Sequence, residues 1–234
     1  MNKNIARVAS IFFCVAAAQT AAANETGFYM GGYVGMTSKE VPRAPFEEFK
    51  NGLQIFSFFT PAVETTSFDD SDLGFTIVGG YRLNRYLAFE GGYASLGEVV
   101  FQSRATGAFP ADPGALDISV ESETSGFTVS ALGTLPLSRD WELFGRVGAL
   151  FANNKIRFTI DASGTDFLPP VGNHFSDSGA KSSTDMYAGL GISRRILEIY
   201  DARLEYQRAF EAGLDQTGGT GDLDALFLGL TVTF

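Results

Sequence analysis

The chain has 234 residues, a formal net charge of −10, 13% aromatic residues, 27 glycines, one cysteine and one histidine. An acidic balance of this size works against nucleic-acid binding, because the phosphate backbone is repelled. A single cysteine and a single histidine exclude a disulfide-stapled domain and leave a structural zinc site without ligands.

Residues 1–23 have the three parts of an export signal: Lys3 and Arg7 at the start, an apolar run from Val8 to Ala18, and Ala21-Ala22-Ala23. Cleavage after Ala23 is expected, leaving a mature domain over 24–234. The apolar run is too short for a membrane helix. Bulky Phe13 before Cys14 argues against lipidation. Loss of Lys3 and Arg7 takes the formal charge from −10 to −12 and removes the one cysteine. No later stretch is apolar and long enough to cross a membrane as a helix. A membrane form must therefore be a closed barrel, because an open sheet leaves backbone groups unpaired in lipid.

Alternating faces then recur along the chain. In Gly27–Met36, Phe28, Met30, Val34 and Met36 oppose Tyr29, Gly31, Tyr33 and Gly35. A Pro-containing stretch over about 37–71 reads as a long loop. In 72–83, Leu73, Phe75, Ile77 and Tyr81 oppose Gly74, Thr76, Gly80 and Arg82, and Asn84-Arg85 turns the chain. From Tyr86, Leu87, Phe89 and Tyr93 oppose Ala88, Glu90, Gly92 and Ala94. Residues 98–122 read as a second long loop. In the segment over 123–137, either Phe127, Val129 and Ala131 or Thr128, Ser130 and Leu132 face outward, and a bulge accounts for the ambiguity. Ser138-Arg139-Asp140 turns into a strand at Trp141, where Leu143, Val147, Ala149 and Phe151 oppose Glu142, Arg146 and Gly148. A third long loop covers about 153–183, including Pro169-Pro170. In 184–195, Met186, Ala188, Leu190 and Ile192 oppose Asp185, Tyr187, Gly189, Gly191 and Ser193. After a short turn, Ala202, Leu204 and Tyr206 oppose Asp201, Arg203, Glu205 and Gln207. A Gly- and Asp-rich stretch over 211–222 precedes a last strand with Leu226, Leu228, Leu230, Val232 and Phe234 on one face.

The connections alternate long and short, as in outer-membrane barrels with short periplasmic turns and long outer loops. The expected fold is all-β: an eight-stranded antiparallel up-and-down transmembrane β-barrel with both termini periplasmic. The second face carries charges at mid-strand, which suits a lumen inside a lipid-facing exterior. Tyr86, Trp141, Tyr200 and Phe234 fit an aromatic girdle at the membrane interface. A soluble eight-stranded barrel is the competing reading.

Three stretches carry a family likeness: Gly80-Tyr-Arg-Leu-Asn-Arg-Tyr-Leu-Ala-Phe-Glu-Gly-Gly-Tyr93, Leu137-Ser-Arg-Asp-Trp-Glu-Leu-Phe-Gly-Arg-Val-Gly-Ala149 and Ala202-Arg-Leu-Glu-Tyr-Gln207. With the terminal aromatic strand, they resemble the transmembrane domain of the OmpA-like outer-membrane proteins. The resemblance implies residence in the outer membrane of a Gram-negative bacterium, contact with its lipids and lipopolysaccharide, and recognition of the last strand by the barrel-assembly machinery. The family's peptidoglycan-binding domain has no counterpart before Phe234, so no wall-anchoring role is expected. The family's lumen lysine is also missing near Ala131.

Three groups of residues are candidates for function. Glu90, Arg146, Arg203 and Glu205 are expected to form one lumen charge network. Breaking a buried pair costs roughly 3–5 kcal/mol, so such charges must be matched. The network reads either as a narrow ion or solute path or as a filled polar core. Phe46, Phe49, Phe56, Phe58 and Phe59 in the first loop read as a surface-binding loop for a host cell, a phage or lipid. The alternative is that they pack among strand extensions and loops. His174, two residues before Ser176 and three before Asp177, has the look of the nucleophile-activating pair of some outer-membrane lipid A deacylases. An incidental loop histidine is the plainer reading. No cofactor or metal is expected. The expected role is non-enzymatic, a structural and surface-adhesion barrel acting as a monomer, with a porin-like pathway or lipid A modification as alternatives.

Overall fold

The computed structural model describes residues 26–40, 44–56, 59–108, 113–163, 174–210 and 221–234. The proposed signal peptide, Phe58, Pro169-Pro170 and most of the last Gly-rich connection lie outside the described residues, as does the side chain of Phe56. The elements are β1 (Gly27–Lys39), α1 (Ala44–Phe56), β2 (Thr60–Asp69), β3 (Ser71–Asn84), β4 (Leu87–Ala108), β5 (Pro113–Pro136), β6 (Trp141–Ser163), β7 (His174–Leu197), β8 (Tyr200–Ala209) and β9 (Leu223–Thr233). All strand pairings are antiparallel. The order β4-β3-β1-β9-β8-β7-β6-β5 closes through a β4–β5 pairing, giving a ring of eight strands; β2 lies outside the ring on β4. Among the described residues no helix is long and apolar enough to cross a membrane. A closed barrel needs none, since its backbone groups are paired between strands.

The ring is inverted relative to a soluble barrel. Its apolar residues are on the outside, with Phe28, Met36, Phe127, Met186 and Leu228 all more than half exposed. The girdle residues Tyr86, Trp141, Tyr200 and Phe234 lie at the short-turn end, where Phe234 N–H donates to Phe28 O. Arg194 lies 5.1 Å from the Trp141 ring centre and Arg85 lies 4.7 Å from that of Tyr86, placing cations beside the aromatic belt. At the other end the outward face changes abruptly. Phe127 gives way to Ser125, Phe151 to Asn153, and Met186 to Thr184. The steps on β5 and β6 lie in register, and the step on β7 comes one same-face position nearer the membrane, since Thr184 pairs with Phe151; together they mark the outer boundary of the apolar band.

Strands do not stop at that boundary, and here the sequence-based expectation needs correction. The regions 98–122 and 153–183, expected as long loops, are chiefly strand. β4, β5, β6 and β7 are 22, 24, 23 and 24 residues long. About ten residues suffice to cross a bilayer. The stretch of β5 from Pro113 to Ser125, at about 3.4 Å per residue and tilted by roughly 40°, rises about 30 Å above the band. Periodicity failed there because the outward face becomes polar and the breaks in pattern look like loop. The expected 37–71 loop is also structured, as α1 and β2.

A bulge on β4 separates the two zones. Ser95 pairs with Ser125 and Glu98 with Glu123, so Leu96 and Gly97 stand opposite Thr124 alone. Gly97 has φ +83°, which an L side chain rarely adopts. Thr37 Oγ1 donates to Leu96 O and Glu98 N–H donates to Asp72 Oδ2, which occupies backbone groups freed by the bulge. β3 leaves β4 at Ser95, and β2 takes its place from Val100 to Ala108. The bulge expected within 123–137 is therefore on the neighbouring strand; β5 keeps Phe127 and Val129 outward and Thr128, Ser130 and Leu132 inward. Ala131 faces outward, so the residue there has no bearing on the lumen.

Candidate functional site

The lumen is built in layers. Near the short turns, Arg82 Nη1 and Nη2 donate to Glu142 Oε1 and Oε2, each at 3.1 Å. The next layer unites the four charges singled out in the sequence. Arg146 bridges Glu90 at 2.8 Å and Glu205 at 2.7 Å; Arg203 meets Glu90 at 2.9 Å. These four groups are almost wholly shielded from solvent and their formal charges cancel. The Arg146 contacts are close in distance but lie off the N–H axes, whereas Arg203 Nη1 donates aligned hydrogen bonds to Glu90 Oε1 and Tyr33 Oη. Tyr29 Oη donates to Glu90 Oε1 at 2.7 Å. The Arg203 guanidinium also sits 5.2 Å from the Tyr29 ring centre and 5.4 Å from that of Phe144.

Glycines make this layer possible. A Cβ on Gly229 would come within 2.2 Å of the Tyr33 ring, and one on Gly80 within 2.4 Å of Tyr29. The two phenols lie flat across neighbouring strands and aim their hydroxyls at the network. Tyr29 and Tyr33 escaped notice in the sequence because their faces read only as aromatic and glycine. An apolar layer follows, with Tyr33, Val78, Leu96, Leu150, Leu223 and Phe227 in one cluster. Its remaining cavity, lined by residues such as Thr76, Leu150, Tyr187 and Ala225, holds about 20 Å³, scarcely one water. Above it, Lys39 and Asp185 are buried, while Asn154 accepts from Thr124 and donates to Ser183.

Above the band, β2 and the outer halves of β4–β7 form one wall. Its inward face is apolar. Phe101, Phe46 and Val120 form one buried cluster, joined by Phe68, Ile156 and Phe158. Phe59, Ala105, Leu116, Ile118, Ile160 and Ala162 form another. Helix α1 lies on this face. Phe46 stacks on Phe101 with ring centres 5.4 Å apart, and Phe49 meets Phe158 edge-on at 4.8 Å. Phe46 and Phe59 are therefore core residues of the wall rather than an exposed adhesive patch; Phe49 remains 42% exposed. Phe58 falls outside the described residues.

Lys50 pins the helix. Its Nζ lies 2.5 Å from Glu47 on the same helix and 2.5 Å from Glu64 on β2. The hydrogen bond from Lys50 holds the Glu64 carboxyl below its ordinary value, against the effect of burial. Burial disfavours the Lys50 charge, but hydrogen bonds to Glu47 and Glu64 outweigh it and raise that group. The linkage signs follow. Glu64 contributes stability above its unfolded pKa of about 4.5, lost as pH falls through the lower folded value. Lys50 contributes stability below about 10.5, lost as pH rises through its raised value. Hydrogen exchange of α1, corrected for intrinsic rates, is expected to accelerate as pH falls from about 6 to about 3. Lys50→Met is expected to abolish that response; an unchanged profile in the variant would place the pH sensitivity elsewhere.

The His174 reading changes too. His174 begins β7 instead of lying in a loop, and its Nδ1 is 2.5 Å from Asp161 Oδ1. Ser176 Oγ lies beside Thr159 Oγ1, and Asp177 accepts from the Ser178 N–H. The geometry assembles no His–Ser pair oriented by Asp177. Among the described residues there is no cluster of metal ligands.

The family model for the OmpA-like transmembrane domain matches residues 22–234. Outer membrane protein A of Klebsiella pneumoniae is 28% identical over 167 residues, which cover 70% of this chain and 42% of that protein. The chain thus spans less than half the length of that relative. Among solved structures, Neisserial surface protein A aligns over 89% of this chain and 97% of its own at 17% identity and a TM-score of 0.43. The attachment invasion locus protein Ail of Yersinia pestis aligns over 90% of this chain and 99% of its own at 15% identity and a TM-score of 0.41. The matched family, together with the closed ring and apolar exterior, identifies the chain as a member of the OmpA-like transmembrane domain family, an integral β-barrel of the Gram-negative outer membrane.

Proposed function

We infer that the protein acts outside the cell as a non-enzymatic binding barrel, exported by residues 1–23 and using the raised wall as its contact surface. One observation carries the reading: strands β4–β7 run more than twice the length a bilayer requires and bury a second apolar core above the membrane. A chain that served only to fill the membrane has no use for that core. Binding surfaces set on rigid scaffolds commonly sit on such projections. The packed lumen weighs against the channel alternative, since ion-paired and apolar layers succeed one another and the cavity within the apolar layer has room for about one water. The exposed His174–Asp161 pair, far from any lipid-facing strand surface, weighs against lipid A chemistry.

Deleting residues 40–68 removes α1 and nearly all of β2 but leaves the ring strands. Cells displaying the deletion variant are expected to adhere to cultured epithelial monolayers at vector level, while cells with the full chain adhere several-fold better. Slower migration of boiled than unboiled protein on SDS gels verifies a folded barrel in both. Equal adherence of the two would remove α1 and β2 from the binding surface.

A further inference from the structure

We propose that the short-turn rim of the barrel seats the headgroup of a phosphatidylethanolamine, its phosphate on Arg139 and Arg194 and its ammonium on Asp140. The site lies at the end of the barrel opposite the wall and does not depend on the surface-binding reading.

The rim carries unmatched charge of both signs. Arg85, Arg139 and Arg194 have no carboxylate partner among the described residues, whereas every other arginine there meets one. All three lie at the short turns, which face the periplasm in barrels of this kind. Asp140 and Glu198, on the same turns, are exposed and also lack an ion partner among the described residues. A purely anionic headgroup would leave Asp140 beside its phosphate, repelling it. A phosphate with an ammonium a few bonds away matches both signs.

Backbone pairing brings these charges together. Trp141 and Arg194 are register partners on β6 and β7. Each continues a lipid-facing set: Val147 and Leu143 lead to Trp141, and Leu190 and Ile192 lead to Arg194. The Arg194 guanidinium, 5.1 Å from the Trp141 ring centre, is thus held at the membrane interface. The Leu137 and Ser138 N–H groups donate to Trp141 O, and the Arg195 N–H donates to Asp140 O at 2.8 Å. The turn carrying Arg139 and Asp140, both exposed, is therefore closed against the residue next to Arg194. An arginine fork takes two phosphate oxygens at once and leaves its flat face on the indole. A primary ammonium offers three N–H donors to a carboxylate, whereas a choline ammonium offers none.

The lipid-facing surface beside the rim has room for the tails. Going into the membrane from Trp141 and Arg194, the next outward row is Leu135, Leu143 and Ile192, and the row after it opposes Gly133 to Gly145. A Cβ on Gly133 would meet nothing within 4 Å, and one on Gly145 only Gly189 O at 3.9 Å. Packing within the protein does not require glycine at either position, in contrast to Gly80 and Gly229. Glycine weakens a strand interior and often marks close approach of another molecule. Gly145 is four residues from Trp141, about 10 Å deeper at about 3.4 Å per residue and roughly 40° of tilt. That is acyl-chain depth for a lipid whose headgroup sits at the rim.

The test uses the full mature chain in phosphatidylcholine vesicles and the fluorescence of Trp141, the single tryptophan. A minor fraction of the lipid is replaced, at equal amounts, by phosphatidylethanolamine, phosphatidylglycerol or phosphatidylcholine brominated near the ester ends of the chains, since bromine quenches an indole at contact. Each reading is divided by that of matching vesicles without bromine. The ethanolamine lipid is expected to quench about three- to tenfold more effectively than either of the others, exposed ion pairs each contributing modestly. Arg139→Gln/Arg194→Gln is expected to lower its quenching to the level of brominated phosphatidylcholine. Asp140→Asn is expected to erase its advantage over phosphatidylglycerol. Excess soluble glycerophosphoethanolamine, which has the headgroup without tails, is expected to change nothing. The SDS-gel shift on boiling checks that each variant is folded. Equal quenching by the three lipids means an ordinary interfacial belt and overturns the proposal. Stronger quenching by phosphatidylglycerol, or an undiminished ethanolamine preference in either variant, overturns it too. Displacement by the soluble headgroup means a site for a free phosphoester and overturns it equally. None of these results bears on adhesion by the wall, which is read on cells with and without residues 40–68.

Discussion

Arg146→Ala is expected to lower the unfolding free energy of the barrel by about 3–5 kcal/mol. Arg146 joins two carboxylates that lie at opposite sides of the lumen on β4 and β8. Without it, Glu90 keeps Arg203 and Tyr29, but Glu205 loses its one short ion pair among the described residues while remaining fully buried. An uncompensated buried carboxylate is costly enough to dominate the outcome. The measurement is urea unfolding in detergent micelles, followed by the fluorescence of Trp141, the single tryptophan. The double variant Arg146→Ala/Glu205→Gln removes the stranded charge and is expected to recover about 1–3 kcal/mol, a coupling typical of contacting residues. Planar-bilayer conductance is expected to stay at the level of protein-free membranes for wild type. A loss below about 1 kcal/mol in Arg146→Ala would mean that water reaches Glu205, and the filled-lumen argument would fail with it.

The ring and the lumen charges were legible in the sequence because each rests on a two-residue period. A strand with lipid outside and packed side chains inside needs strict alternation over about ten residues, and Phe28–Met36 and Leu226–Phe234 supply it. Charges at mid-strand on the second face, Glu90, Arg146, Arg203 and Glu205, could only point inward. Their partners on the same face, Tyr29 and Tyr33, depend on the glycines opposite them, Gly80 and Gly229, and cross-strand register is not written in one strand's pattern. The wall was illegible for a different reason. Above Ser125 the outside meets water, so Glu121, Glu123, Lys155 and Arg157 replace the lipid-facing apolar residues. The inward apolar residues Val120, Ile118 and Leu116 still alternate, but their strand contains Pro113 and runs of Ser and Glu that imitate a loop. The aromatic residues of 46–68 were recognisable as unusual, yet nothing local distinguishes a surface patch from a core. Burial of Phe46 and Phe59 is decided by Phe101, Leu116 and Ile160, which are distant in sequence.

Phe101→Ala is expected to unfold the wall locally while leaving the membrane barrel closed. Phe101 is 2% exposed, stacks on Phe46 at 5.4 Å and meets Phe68 edge-on at 6.3 Å. Truncating a buried phenylalanine costs about 3–5 kcal/mol, from lost transfer energy and the cavity left behind. That cost falls on a small core held above the membrane by β4 and β5 and covered by α1. The ring below has its own side-chain layers, and the Gly97 bulge separates the two zones along β4. The loss is therefore expected to appear as local opening. Limited trypsin digestion of the folded variant should cleave near Lys50 many-fold faster than wild type. Mobility of the unboiled protein on SDS gels should be unchanged. Val99→Ala, in the same strand beside the bulge, removes a smaller side chain and should accelerate cleavage far less. Simultaneous loss of the unboiled gel form would show that wall and barrel unfold together. Protection equal to wild type would mean that α1 does not depend on its stacking against Phe101.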